Sequence, residues 1–342
     1  MTEPPPVCYL EMQERGGPGS LNICQVYQGT PRFYIIDKLI TIWHSSCSKI
    51  DRLSANTHRM AAQYSCQGKE STVIMDLTYS YFPGCTLKTK ARDLDVYTRK
   101  TAAALGADLV EIENWQCCGG VYPLGSDEVG NKLSSVRALN DAKEHGRDLV
   151  TVCSGCFHVL KRVNDDMKNV PDIRDRANRY AQLAEPYQGE TRVLHYLEVL
   201  RDAVGFDTIR KKTLHPLTGH RIGAYYGCLL LRPSAILEFD DPEDPSVIEE
   251  FLEAVGATPV KYQMRNECCG GYRSLEEPAF TNRLVGKIFA DAKASGCQEL
   301  VTACPLCFYN LQKYDGPDKL RVRYISEVLA QALGIDERGE VR

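Results

Sequence analysis

The chain has 342 residues with 41 basic and 45 acidic side chains, a formal net charge of −4. That length supports two domains with real cores, and the mild acidity gives no support to a nucleic-acid role. No segment reaches the ~18 apolar residues of a membrane span; the longest candidate, Phe33 to His44, contains Asp37 and Lys38.

Residues 1–70 read as an N-terminal extension, a docking or packing arm. Its start, "MTEPPPVCYLEMQERGG", has no basic run leading into an apolar stretch. It is therefore not a secretory signal, and a cytoplasmic location is the expectation. Next, "STVIMDLTYSY" looks like a strand running into Cys85. "ARDLDVYTRKTAAALG" has helical periodicity and ends at a glycine. "ADLVEIE" reads as a short buried-type strand, "DEVGNKLSSVRALNDAKEHG" as a second helix, and "RDLVTV" as a strand ending at Cys153. From residue 216 the order recurs in "RIGAYYG", "PSVIEEFLEAVG", "ATPVKYQ", "PAFTNRLVGKIFADAKASG" and "QELVTA". Strands alternating with helices predict an α/β fold with a parallel sheet in each half, 71–215 and 216–342. Cysteines then fall at the carboxyl ends of strands, where such sheets place their sites.

The chain holds 15 cysteines. Without a secretory signal, that number points to metal or redox chemistry rather than structural disulfides. Ten of them repeat. The halves read C-x31-CC-x34-C-x2-C and C-x39-CC-x34-C-x2-C. The first set is Cys85, Cys117, Cys118, Cys153 and Cys156. The second is Cys228, Cys268, Cys269, Cys304 and Cys307. Zinc takes four ligands in a tetrahedron, so five thiols per set is one too many. Adjacent cysteines point in different directions, which suits a polynuclear iron–sulfur centre better than one ion. Gly119, Gly120, Gly270 and Gly271 follow the two pairs. They permit unusual backbone angles, close approach to a cluster, and N–H donation to its sulfides.

This pattern resembles the cysteine-rich CCG domain, and two complete copies resemble the B-type chain of heterodisulfide reductase, over roughly residues 73–333. The resemblance implies two pseudo-symmetric CCG lobes in which each five-cysteine set ligates one noncubane [4Fe-4S] cluster. It implies a disulfide held between the clusters and split, or formed from two thiols, with no catalytic residue beyond the cluster ligands. It also implies a complex. Electrons would pass through a separate C-type, ferredoxin-like [4Fe-4S] chain and an A-type, FAD-containing chain, and the substrate would be a thiol, a disulfide or a sulfur-carrier protein. A version serving sulfur oxidation is the first expectation. The alternatives are methanogen-type reduction of the CoM–CoB heterodisulfide, or electron transfer within a quinone-linked succinate or fumarate dehydrogenase.

The extension adds Cys8, Cys24, Cys47 and Cys66, whose spacing matches no ferredoxin pattern; they read as buried or free thiols. Cys297 reads as a core thiol. His145 and His158 read as surface or packing residues, and Lys143 and Lys293 as a matched pair of helix-surface lysines. Arg232 offers either an anion contact or an ordinary ion pair. Trp115 and Tyr272 are candidates for a pocket wall. The acidic run from Glu238 to Glu250 reads as a solvated loop and helix start.

Overall fold

The computed structural model describes residues 77–120 and 126–336. The arm expected over 1–70, with Cys8, Cys24, Cys47 and Cys66, lies outside the described residues.

The first half runs β1 (Thr78–Tyr81), α1 (Arg92–Leu105), β2 (Asp108–Glu111), α2 (Leu133–Glu144), β3 (Leu149–Thr151), α3 (Ser154–Asn169), α4 (Pro171–Ala181) and β4 (Val193–His195). After α5 (Phe206–Lys212), the second runs β5 (Arg221–Tyr225), α6 (Val247–Ala254), β6 (Thr258–Pro259), α7 (Pro278–Ala294), β7 (Glu299–Thr302), α8 (Pro305–Lys313), β8 (Arg321–Tyr324) and α9 (Ile325–Ala332). Each half makes a four-stranded parallel sheet. The orders are β2-β1-β3-β4 and β6-β5-β7-β8.

These orders position the site. The chain leaves β1 toward β2, then returns to place β3 on the other side of β1, so the winding reverses between β1 and β3. Open α/β sheets form their crevice at such a reversal, beyond the carboxyl ends of the strands. Cys85 follows β1 and Cys153 follows β3; Cys228 follows β5 and Cys304 follows β7. Both sets therefore flank their own switch point. The paired cysteines arrive from outside, on the loops after β2 and β6.

Local chemistry explains the elements. Helix α1 buries Leu94, Thr98, Thr101, Ala102 and Leu105 on one stripe and stops at Gly106, whose φ of 87° suits a left-handed cap. Strand β3 is buried throughout, as a strand covered on both faces must be. The expectation fails for β2, which alternates between exposed and half-buried positions. It is an edge strand rather than a buried one, and so has only one neighbour to cover it.

The two sheets are not independent lobes. Val73–Arg342 forms one compact unit, and its main hydrophobic core includes Leu94, Phe157 and Tyr196 together with Phe251, Val328 and Leu329. Helix α9 packs on α1, and Ser326 Oγ donates to the Leu94 carbonyl at 3.2 Å. Lys212 Nζ, at the end of α5, donates to the Ala104 carbonyl at 2.8 Å. Burying a leucine such as Leu94 or Leu329 stabilises by about 1.5–3 kcal/mol, so this seam holds the halves firmly.

Candidate metal centres

The structure gathers each five-cysteine set. In the first, Cys85 Sγ lies 3.6 Å from Cys117 Sγ, and Cys118 Sγ lies 3.5 Å from Cys156 Sγ. Cys117 also hydrogen-bonds to Cys118, and Cys153 to Cys156. In the second, Cys269 Sγ lies 3.6 Å from Cys307 Sγ, and Cys228 is hydrogen-bonded to Cys268. The burial pattern repeats too. The second cysteine of each pair and both cysteines of each C-x2-C are buried, while Cys117 and Cys268 are exposed.

The local backbone is shaped around sulfur. Gly84 and Gly227 precede the first cysteine of each set at φ 77° and 63°. A Cβ on Gly84 would come within 2.7 Å of Cys156 Sγ, and one on Gly227 within 3.0 Å of Cys307 Sγ. Glycine is therefore required there twice over, by conformation and by space. Gly119, Gly270 and Gly271 also sit at positive φ. Gly120 is different: a Cβ there would collide with Tyr272 Oη. The hydroxyl of a second-half tyrosine thus rests on the first Cys-Cys-Gly-Gly loop.

Thiolate character concentrates on one cysteine of each pair. Cys117 is held far below an ordinary thiol by hydrogen bonds from Cys118 and Cys85, aided by the Gly119 and Gly120 N–H groups. Cys268 is lowered to about 6 by Cys228, and the Gly270 N–H, 3.3 Å from its sulfur, adds to this. Cys85 and Cys228 are raised, first by the same hydrogen bonds and then by burial. Cys118, Cys156 and Cys307 are raised as well, each first by a neighbouring thiol, so all five would keep their protons in the metal-free chain. Thiolates are the usual ligands of iron–sulfur clusters. Five converging sulfurs, glycine cradles against Cys156 and Cys307, and backbone N–H donors on Cys117 and Cys268 together fit such a group. Among the described residues, no three histidine, cysteine or carboxylate groups close on a single-ion site.

A cavity of about 330 Å³ joins the halves. All five first-set cysteines line it, together with Cys304 of the second set. Tyr272, Phe308, Tyr309 and Tyr324 form aromatic walls, with Lys90 and Gln312 among the polar groups. Phe308 and Tyr324 stack with centroids 4.1 Å apart. The two C-x2-C motifs abut at its floor, where the Ser154 N–H and Oγ both reach the Ala303 carbonyl, at 3.4 and 3.2 Å.

The remaining candidates separate. Tyr272 lines the cavity; Trp115 does not. It packs edge-on against Phe82 and donates to Glu111 at 2.9 Å. Arg232 is a clamp, donating to the Asn266 and Pro242 carbonyls at 2.9 and 3.0 Å and pairing with Glu243. His158 is largely buried, close to the backbone of Leu229 and Arg232, and burial lowers it to about 4. His145 Nδ1 lies 2.8 Å from the Asp141 carbonyl. Lys143 pairs with Glu190 and Lys293 with Asp318, the shared surface role expected of them. Cys297 is a buried thiol, pushed up to about 11 by burial. The acidic run is more than a solvated loop. Asp240 accepts from the Ser246 and Val247 N–H groups at the start of α6. Asp244 pairs with Arg265, whose carbonyl accepts from the Tyr226 N–H at 2.9 Å, beside Cys228.

The sequence profile described as "CCG: Cysteine-rich domain" matches residues 79–161 and 222–312, just over half of the chain. Several curated proteins are similar. The membrane anchor of the 8-methylmenaquinol:fumarate reductase of Wolinella succinogenes is 28% identical over 270 residues, covering 76% of this chain and 94% of that protein. A protein of Archaeoglobus profundus that is like the B-type chain of heterodisulfide reductase is 29% identical over 275 residues, covering 75% and 91%. The B-type chain of the ferredoxin/F420H2-dependent CoB–CoM heterodisulfide reductase of Methanosarcina acetivorans is 28% identical over 276 residues, covering 76% and 91%.

Proposed function

We propose, from the premise that the chain belongs to the CCG cysteine-rich domain family, that it is the iron–sulfur subunit of a heterodisulfide-reductase-like complex. In this reading Cys85, Cys117, Cys118, Cys153 and Cys156 hold one noncubane [4Fe-4S] cluster. Cys228, Cys268, Cys269, Cys304 and Cys307 hold the other. Residues 71–215 and 216–342 are the two repeats. Bound clusters would supply electrons and iron sites able to take a sulfur ligand.

The observation that carries the reading is the shared cavity, whose lining includes cysteines of both sets beside an aromatic wall. The protein's own groups then do the following. The aromatic walls exclude water and grip the carbon chains of a thiol or disulfide. Lys90 draws an anionic end of the substrate toward the cavity. The Gly119, Gly120 and Gly270 N–H groups offset negative charge on the Cys117 and Cys268 sulfurs. Splitting a disulfide consumes two electrons and two protons and yields two thiols; the reverse joins them. Separate ferredoxin-like and FAD-bearing chains would carry the electrons. Service in sulfur oxidation is our first choice of direction.

A second reading, electron transfer beside a quinone-linked fumarate or succinate dehydrogenase, is favoured by the likeness to the Wolinella succinogenes membrane anchor. No helix among the described residues is long and apolar enough to cross a membrane.

Anaerobic purification with iron and sulfide analysis tests the assignment, with EPR spectra before and after thiol addition. The expected result is about eight irons per chain and a paramagnetic signal that appears with thiol. Full iron with no response to thiol would overturn the disulfide reading in favour of electron transfer, and four irons would leave one set empty.

A further inference from the structure

The repeat is strict in its thiols and breaks at one residue that touches them. Three positions past the last cysteine of each set stand Val159 in the first half and Asn310 in the second. Both are buried, Val159 at 1% exposure and Asn310 at 2%. Asn310 Nδ2 faces three acceptors: the Gly271 carbonyl at 2.9 Å, the Cys269 carbonyl at 3.3 Å and Cys269 Sγ at 3.4 Å. Because two of them are carbonyl oxygens, the amide orientation is fixed with nitrogen toward the sulfur. Valine can make no such bond to the first set.

The other end of the amide points to a second observation. A cavity of about 310 Å³ behind the second pair is lined by Ser274, Thr281, Asn310, Lys313 and Asp315, among others. Asn310 Oδ1, Thr281 Oγ1 and Ser274 Oγ are all buried without a hydrogen-bond partner in the protein. Buried polar atoms are almost always paired, with protein or with water. The three oxygens are closed off from that cavity, so they mark a buried polar surrounding of Asn310 rather than a wetted wall. Sulfur in the second set is thus approached by a buried amide N–H.

We propose that Asn310, through its N–H on Cys269 Sγ, raises the reduction potential of the centre on the second cysteine set. The inference rests on the reading that both sets hold clusters. An N–H bonded to a ligand sulfur favours the more negative reduced state. Val159 offers the first set no such donor. The step is one-electron uptake by each centre from a reduced iron–sulfur donor, or from dithionite in the assay; no bond to Asn310 forms or breaks.

The test is an EPR-monitored redox titration of the iron-loaded chain, with Cys85→Ser identifying the first-set signal. Asn310→Val should lower the second-set midpoint, leave the first unmoved and keep the iron content. Val159→Asn should raise the first-set midpoint. An unmoved second-set midpoint in fully loaded Asn310→Val overturns the proposal. Should Asn310→Val lose iron, Val159→Asn decides: a raised first-set midpoint supports it and an unmoved one overturns it. A wild type with no iron on its second set overturns the underlying cluster reading instead, which iron analysis detects before any titration.

Discussion

Replacing Gly84 by alanine measures how tightly the backbone is drawn around the first cysteine set. The residue sits at φ 77°, and the new Cβ would lie 2.7 Å from Cys156 Sγ. Left-handed backbone costs an L-residue about 1–2 kcal/mol. Forcing extra volume into a packed site costs a further ~1–3 kcal/mol. Cys156 cannot simply retreat, because it is buried and 3.5 Å from Cys118 Sγ. The sum is about 2–5 kcal/mol, and at roughly 2–4 °C per kcal/mol for a unit this size the Tm should fall by about 5–20 °C. Two further variants separate the causes. Gly106→Ala, at φ 87° with nothing within 4 Å, pays the backbone term alone. Gly227→Ala, at φ 63° and 3.0 Å from Cys307 Sγ, adds a softer clash to that backbone cost. Thermal unfolding should rank them Gly84, Gly227, Gly106 from most to least damaging. Iron analysis should show Gly84→Ala alone losing about half of its iron. Equal losses of stability in all three, or full iron loading in Gly84→Ala, would refute the close-approach reasoning.

Three other outcomes are expected. Gly120→Ala should destabilise by about 1–3 kcal/mol through its contact with the Tyr272 hydroxyl. Tyr272→Phe in the same chain should recover most of it, since the next atom is 3.4 Å away; a urea double-mutant cycle with no coupling would contradict the contact. Cys117→Ser should remove the iron of the first set and spare the second, with Cys268→Ser doing the converse, read as iron per chain and loss of one of two EPR signals. His195 is buried with Nδ1 accepting from the Leu197 N–H and Nε2 donating to the Val152 carbonyl, and burial lowers it to about 3. Its unfolded form takes up a proton near pH 6.5 and the folded form resists, so stability is lost as pH falls below 6.5. The loss is about 2 kcal/mol by pH 5, and His195→Asn should show a flatter urea midpoint between pH 7 and pH 5.

The cysteine sets were legible because thiols at fixed spacing repeat without ambiguity, and Cys85, Cys153, Cys228 and Cys304 fall after strands as the alternating pattern requires. The walls were harder to read. Tyr324 lines the cavity, and its signal is a third repeated segment, "VLHYLEVL" (193–200) against "VRYISEVL" (322–329). In each copy a glutamate three residues on accepts from the backbone N–H of His195 or Tyr324, a capping box at the strand-to-helix turn. Aromatic residues such as Phe308 and Tyr309 were invisible as cavity residues because helical periodicity alone does not say which neighbour a helix face meets. The α9–α1 seam was equally hidden, since it pairs helices more than two hundred positions apart. Arg232 and Trp115 show the opposite failure. Each sits beside a cysteine motif, yet backbone carbonyls and a carboxylate in one case, and a ring and Glu111 in the other, consume their polar groups.

What the two halves share and where they differ bears on the substrate. The thiols, their cradling glycines and their strand ends are matched. The residues between the sets are not. Ser154 supplies an N–H and a hydroxyl to Ala303, while its repeat partner Pro305 has neither group and so cannot return the bond. His158 is tucked against the Leu229 loop, whereas its partner Tyr309 faces the cavity. Tyr272 crosses from the second half to rest on the first loop. A symmetric disulfide would gain nothing from such differences, because each half of it would prefer the same wall. A substrate with two unlike ends would gain orientation, since one end meets the aromatic wall from α8 and the other the small glycine surface beside Cys156. Under the proposed function, the asymmetry of the walls therefore favours a mixed disulfide, or a thiol joined to a carrier, over a symmetric one. Competition between matched symmetric and mixed disulfides, read as relative kcat/KM, would show a preference for the mixed species and would lose it in Tyr272→Ala.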